Sequence, residues 1–368
     1  MFSIRLRSFV VLCALALSTP VVAQSGKDAA KSSKKKEDKP PKGDGVLSKF
    51  FQSEEPITAT LTTNLKRIKG DKSADAPWRP ATLSYAAVSP DTGTVTIPAR
   101  IRTRGIWRLK NCEFPPIRIN FKSEDVKGTL FKGLDEPKLV NFCRNNDDYE
   151  QYILQEFQIY RIYRLLTPVS HAVRLLHLSY VDSATAKKDA TRWAFIVEDP
   201  AALADRVGGK ILKIKGAGPS DLEPVQSTVV STFLYMIGNT DFSVTGLHNA
   251  ELLGMPFGDY YPIVYDFDFS GAVNARYATV DPSLPIKRVR DRLYRGYCVA
   301  PDVYPQVTQR FNAKKDSIYA LYRDPIGKLL KPNIVTETLE YFDEFYKTLN
   351  DPRSFKRDIV DQCAGKAK

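Results

Sequence analysis

Histidine is scarce in this sequence: His171, His177 and His248 are the whole complement, and their spacing is irregular. That excludes a His-based zinc site at ligand spacing and leaves no arguable Ser-His-Asp triad. Cysteine is nearly as sparse, with five in 368 residues. Cys13 falls in an apolar run near the start, after bulky Leu12, which argues against a lipoprotein anchor. Cys112, Cys143, Cys298 and Cys363 are spaced too widely and irregularly for a metal knuckle. Beyond residue 23 no run approaches the ~18 apolar residues that a membrane span needs. Gly216-Ala217-Gly218-Pro219 lacks the Lys-Ser/Thr ending of a phosphate loop and does not sit between strand and helix, so it reads as a flexible turn. No internal repeat is present.

What remains is an ordinary globular composition, 43% hydrophobic and 26% charged, long enough for one large or two small domains. Residues 1–23 carry the marks of an export signal: Arg5 and Arg7, an apolar run over 9–17, and Val21-Val22-Ala23 before Gln24. A Lys-rich linker is expected over 24–55. Its richest part, residues 26–44, holds Lys34, Lys35 and Lys36 among Ser, Pro and acids and cannot build a core. It is either a solvated spacer or a tether to an anionic wall or membrane. The net charge is +12; Arg5 and Arg7 account for two of these charges and residues 24–48 for three more, leaving +7 on the fold. That balance suits a phosphate-rich ligand or an anionic surface. In an oxidising compartment the four later cysteines allow two disulfides in three connectivities. Cys112–Cys143 is favoured because both border one predicted sheet; free buried thiols are the alternative.

The fold is expected to begin near Pro56. Strands are predicted over 57–65, 81–88, 94–104, 116–122 and 138–142. In the third, Val95, Ile97, Ala99 and Ile101 face one way and Arg100, Arg102 and Arg104 the other. If the next strand pairs with it, Arg102, Arg104 and Arg118 share a face, as either an anion site or ordinary surface charge. A helix over 149–166, capped by Asp147 or Asp148, places Glu156 on its apolar stripe, where a carboxylate wants a cation. Arg118 is the expected partner, with an edge position beside Arg164 the alternative. Strands over 172–181 and 192–197 lead to Glu198-Asp199-Pro200 and a short helix over 200–206. A strand is expected over 210–215 and a helix over 222–237.

The chain is organised around residues 238–277. A buried helix ends at Gly238; a polar loop follows with Asp241 and Asn249; strands over 250–253 and 261–265 lead to Asp266-Phe267-Asp268. An acid and an amide on one loop, with acids at the end of the next strand, suit phosphoryl transfer. One Asp handles the acceptor hydroxyl while Asn and Asp oxygens hold Mg²⁺, a hard cation that brings its own water and phosphate ligands. The ordinary alternative is a capped turn at Asp266 and Asp268. His248 is read as ordering the loop. The basic stretch 286–297 either lines a cleft, binds an acidic acceptor or is a solvated helix face. Helices are expected over 302–322, 333–349 and 352–363.

This order predicts an α+β, protein-kinase-like fold of two lobes: an N-terminal antiparallel β lobe with one helix (56–199) and a mainly helical C-terminal lobe (200–368). Nucleotide would lie between them, with Arg118 gripping phosphate, braced by Glu156, and Glu198 with its backbone forming the adenine hinge. Over residues 57–280 the chain resembles the CotH family of atypical secreted kinases, named for spore coat protein H. The resemblance rests on Arg104-Gly105-Ile106-Trp107, Pro116-Ile117-Arg118-Ile119-Asn120-Phe121, Phe195-Ile196-Val197-Glu198-Asp199, the Asn239, Asp241 and Asn249 set, and Asp266 with Asp268. It implies ATP-dependent phosphorylation of protein hydroxyls with Mg²⁺ or Mn²⁺. Asp241 would be catalytic, Asn249 and Asp266 metal ligands, and Asp268 a second ligand or a support; Arg104, Arg118, Glu156 and Glu198 would contact nucleotide. The expected partners are nucleotide and a protein acceptor in the envelope or outside the cell, not nucleic acid, and the expected location is periplasmic or secreted. A pseudokinase or envelope-binding module, and a metal-dependent phosphoesterase built on Asp241, Asp266 and Asp268, are the competing readings.

Overall fold

The computed structural model describes residues 43–73, 75–87 and 92–365. The expected export signal, and the Lys-rich stretch as far as residue 42, lie outside the described residues.

Strands β1 (Ile57–Thr63), β2 (Arg79–Ala86), β3 (Thr94–Thr103), β4 (Ile117–Asn120), β5 (Lys138–Val140), β6 (Val173–Asp182) and β7 (Lys188–Val197) close into a barrel, in the order β1-β2-β3-β4-β5-β7-β6. Helices α1 (Leu65–Gly70), α2 (Trp107–Asn111) and α3 (Asp147–Leu166) are inserted among them. Then come α4 (Pro200–Val207), β8 (Lys210–Leu212), α5 (Pro224–Ile237), β9 (Ala250–Gly254), β10 (Tyr260–Val264), α6 (Val303–Ala320) and α7 (Pro332–Asn350). β8, β9 and β10 form a second, antiparallel sheet with β9 in the middle.

The barrel overturns the expected two-lobed, kinase-like architecture with its small antiparallel sheet. β1 pairs antiparallel with β2 on one side and parallel with β6 on the other, Ile57 opposite Leu176 and Thr63 opposite Asp182. The seven-strand sheet is therefore mixed and closed. Closure pairs the N–H and C=O rows that an open sheet would leave at its two edges. The period-two pattern fills the inside: Leu61, Leu83, Ile97, Ile101, Ile119 and Leu178 are buried in the barrel core.

β5, β6 and β7 are buried on both faces. Leu139, Leu176 and Ile196 point into the barrel, whereas Val140, Leu175 and Phe195 join a second core with α3, α5, α6 and α7. Two-sided burial explains the nearly continuous apolar runs in these strands. The packed chain also starts earlier than Pro56. Phe50 is fully buried against Phe131, ring centroids 4.9 Å apart, because the barrel end needs an apolar plug. Asn146, rather than Asp147 or Asp148, caps α3 by accepting from the Tyr149 N–H at 3.1 Å. Both acids then lie in the first turn, where the helix dipole favours them.

Cys112 bonds Cys143, as favoured from the sequence, and Cys298 bonds Cys363. Reduction, or paired Cys→Ser replacement, is expected to cost about 2–4 kcal/mol per bridge. A denaturation midpoint that ignores reductant would show that the bridges do not form. Among the described residues no helix is long and apolar enough to cross a membrane.

Candidate active site

α5 ends on Gly238 in the left-handed region, φ 64°, and the Asn239 N–H returns to the Leu234 carbonyl at 2.9 Å. A Cβ at Gly238 would collide with the Tyr341 hydroxyl, so the tight exit requires glycine. The Asn239 side chain then accepts from the Asp241 N–H at 2.9 Å. Arg295 donates to the carbonyls of Thr240 and Phe242, on either side of Asp241. Two residues of the basic stretch 286–297 thus act as internal bracing: beside Arg295, Arg292 donates to the Tyr341 carbonyl and stacks over the Tyr341 ring.

The gap from Asp241 to Asn249 is closed by a two-way backbone bridge between Ser243 and His248, both bonds 2.9 Å. It folds the loop back on itself. His248 Nε2 comes within 2.9 Å of Asp241 Oδ1, and Asn249 Nδ2 donates to Asp241 Oδ2 at 3.0 Å and to its carbonyl at 2.8 Å. Asn249, with φ 47°, spends its amide N–H on Asp241, which leaves Oδ1 as the atom able to accept a cation.

β10 delivers the acid turn. Asp266 also has a left-handed backbone, φ 65°, held by its N–H to Tyr160 Oη at 3.0 Å. The Phe267 N–H donates to Glu156 Oε1 at 3.3 Å. Strained backbone at Asn249 and Asp266 is the kind that clusters at functional sites when the surroundings enforce it. Asp268 Oδ2 accepts from Tyr277 Oη at 3.0 Å. Trp107 packs on Phe269 and Tyr277, centroids 5.5 and 5.3 Å away, and so ties the Arg104–Arg108 stretch to the acid turn.

These groups line one cleft of ≈ 520 Å³ that includes Arg104, Arg108, Lys138, Glu156, Asp241, Asn249, Asp266 and Asp268. A larger cavity, ≈ 840 Å³, lies among Tyr304, Phe355 and Val360 and holds no such chemistry. Burial, then the neighbouring charges of Asp268 and Asp266, hold the Glu156 carboxyl well above the usual carboxylate range. Burial and then Asp266 push the Asp268 carboxyl up to about 7, against the pull of Arg108. Glu156 Oε2 is buried with no hydrogen-bond partner among the described residues. Acids crowded in this way favour either a shared proton or a cation. Among the described residues no three His, Cys, Asp or Glu side chains form a ready-made metal cage. Two carboxylates plus an amide oxygen are the sparser set that Mg²⁺ or Mn²⁺ accepts when phosphate and water complete the shell.

The sign of the pH effect follows from these raised values. Between about pH 4 and 7 the folded Glu156–Asp268 cluster binds more protons than the same groups do in the unfolded chain, so its contribution to stability falls as pH rises. Mn²⁺ is therefore expected to raise the melting temperature more at pH 7.5 than at pH 5.5, and Asp268→Asn should flatten that difference. An equal Mn²⁺ shift at both pH values would contradict it.

Two residues expected in the site are elsewhere in their chemistry. Arg118 does not meet Glu156; it lies opposite Arg102 on the outer barrel face and faces Glu136 at 3.4 Å. Arg102 stacks on Trp78, and Arg104 turns inward to the carbonyls of Ile117 and Leu139, so the three arginines form no common anion site. Glu198 borders the cleft, but its carboxylate is gripped by Arg206 at 2.9–3.0 Å. Its N–H is bonded to Ala172 and its carbonyl to His171, so it offers no hinge.

Lys138, Arg108 and His171 were missed. Lys138 lies 4.9 Å over the Tyr265 ring, and its ammonium is pushed below its ordinary value by burial and by Arg104. A lone lysine opening an otherwise apolar strand was the available signal. Burial opposes the Arg108 charge, yet Tyr277, Asp268, Glu156 and Asp266 together hold it above its ordinary value.

No family model and no curated protein matches the chain. Among solved structures, that of the Golgi casein kinase with Mn and ADP bound matches at 12% identity and a TM-score of 0.30. The match covers 69% of this chain and 74% of that one.

Proposed function

We propose that the cleft binds ATP with Mg²⁺ or Mn²⁺ and transfers the γ-phosphoryl group to a protein Ser/Thr hydroxyl. One observation carries this reading: Asp241 and Asn249 from one loop, and Asp266 and Asp268 from the turn after β10, line the same cleft as Arg104, Arg108 and Lys138. The unpartnered Glu156 oxygen and the crowded acid turn fit a divalent cation, which would neutralise phosphate charge when bound. Asp266, Asp268 and Asn249 Oδ1 would hold it.

Lys138 and Arg104 supply positive charge for the phosphate oxygens, in the role first expected of Arg118. Asp241 orients the acceptor hydroxyl and takes its proton. The acceptor oxygen bonds to the γ-phosphorus, the bond to the bridging oxygen breaks, and ADP leaves with that electron pair. His248 and Asn249 fix the Asp241 carboxylate for this task. The reading agrees with the motif resemblance to the CotH family. Placement in the periplasm or outside the cell is supported by the signal-like first 23 residues and by the two disulfides.

A phosphoesterase with two cations would need Asp241 in the same ligand cluster as Asp266 and Asp268. Its carboxylate is instead taken by His248 and Asn249. The test is incubation of purified protein with γ-labelled ATP, Mn²⁺ and a mixed protein acceptor. Label on protein supports the reading. Phosphoester hydrolysis without nucleotide refutes it, and tight Mn²⁺-dependent nucleotide binding without transfer assigns a pseudokinase.

A further inference from the structure

We propose that His171 reads the nucleotide base through Nε2 and makes the cleft select a purine carrying a 6-amino group over one carrying a 6-oxo group. The inference rests on the nucleotide reading above and adds a specificity residue to it.

His171 lies just before β6 and is almost wholly buried, yet it lines the cleft. Its Nδ1 is 2.9 Å from the Glu198 carbonyl oxygen. A carbonyl only accepts, so Nδ1 carries the hydrogen and Nε2 presents a bare lone pair. Burial, with the Lys138 charge adding to it, pushes the imidazole down to about 3, which keeps that lone pair unprotonated at any working pH.

Nε2 is buried and has no hydrogen-bond partner among the described residues. Leaving such an acceptor unsatisfied is costly, and a ligand in the cleft that His171 lines can bring the missing donor. The walls beside it suit a flat heterocycle: Val140, Val197, Pro116 and the Tyr265 ring also line the cleft. Tyr265 meets the imidazole edge-on, centroids 6.1 Å apart, which fixes the direction of the ring. The backbone of Glu198 is occupied on both sides, by Ala172 and by His171 itself. Glu198 therefore has no free backbone group with which to read a base edge.

The chemistry at the 6-position then decides. An exocyclic amine donates to Nε2. A 6-oxo group sets lone pair against lone pair and leaves two buried acceptors unpaired. Sites built on such a bond discriminate strongly against analogues that lack the donor.

The experiment measures equilibrium binding of three triphosphates in saturating Mn²⁺ to the full chain: ATP, ITP, and the purine analogue with hydrogen at position 6. Wild type should bind ATP at least about tenfold tighter than either of the others. His171→Phe should collapse the three affinities to within about twofold by weakening ATP alone, and His171→Gln, which keeps an acceptor near Nε2, should restore part of the preference. Equal affinities in wild type, or an ATP preference that survives in His171→Phe, overturns the assignment while leaving the nucleotide site standing. No binding of any of the three overturns the nucleotide reading and this inference with it. Should His171→Phe not fold, the wild-type comparison of ATP with the 6-hydrogen analogue decides alone.

Discussion

Asp266→Asn is expected to abolish phosphoryl transfer, by at least about 10³-fold, while the protein stays folded. Asparagine is the better probe than alanine. The backbone at Asp266 is left-handed, which Asn tolerates and Ala does not. The Tyr160 hydroxyl is bonded to the main chain of residue 266 and so survives the change. Removing the carboxylate also relieves the charge pressing on Asp268 and Glu156. The inactive variant, free of metal at pH 7.5, should therefore melt no lower than wild type. Loss of activity with retained or raised stability separates a site role from a folding role. Equal labelling of acceptor by wild type and variant would refute the assignment of Asp266.

The largest effect on stability is expected at a pair outside the chemistry. Arg206 on α4 and Glu198 after β7 are 5% and 3% exposed and joined at 2.9 Å. Arg206 also donates to the carbonyls of Pro168 and Ser170. Arg206→Met strands a buried carboxylate and two carbonyls at once and should cost about 3–5 kcal/mol in denaturant unfolding. Adding Glu198→Gln should recover part of that loss, since the stranded charge is gone. If Arg206→Met unfolds within about 1 kcal/mol of wild type, the pair is not the anchor that its burial implies.

Much of the site was legible because its parts lie on strong local signals. Gly238 ends a helix, Asn239 and Asp241 open a loop, and Asp266 follows a short apolar strand; each is set by neighbouring residues. The pairing of Cys112 with Cys143 was likewise readable from their common sheet. What escaped was set by distant partners. In-and-out alternation along β1 to β4 is the same in an open sheet and a closed one, so barrel closure left no mark on the pattern. Arg118 and Lys138 sit opposite one another on β4 and β5, yet only the three-dimensional turn of the wall decides which cation faces the acids. Glu198 had the right position for a hinge, and only contact with Arg206, eight residues on, shows that it is committed.

The parallel ladder of β1 on β6 has a consequence for how the chain becomes a protein. Ile57 cannot meet Leu176 until β6 has been synthesised and every strand between them has been laid down. High contact order of this kind slows folding. A nascent chain would hold β1 with one raw edge until residues 173–182 have emerged, a state that chaperones can grip before the barrel shuts.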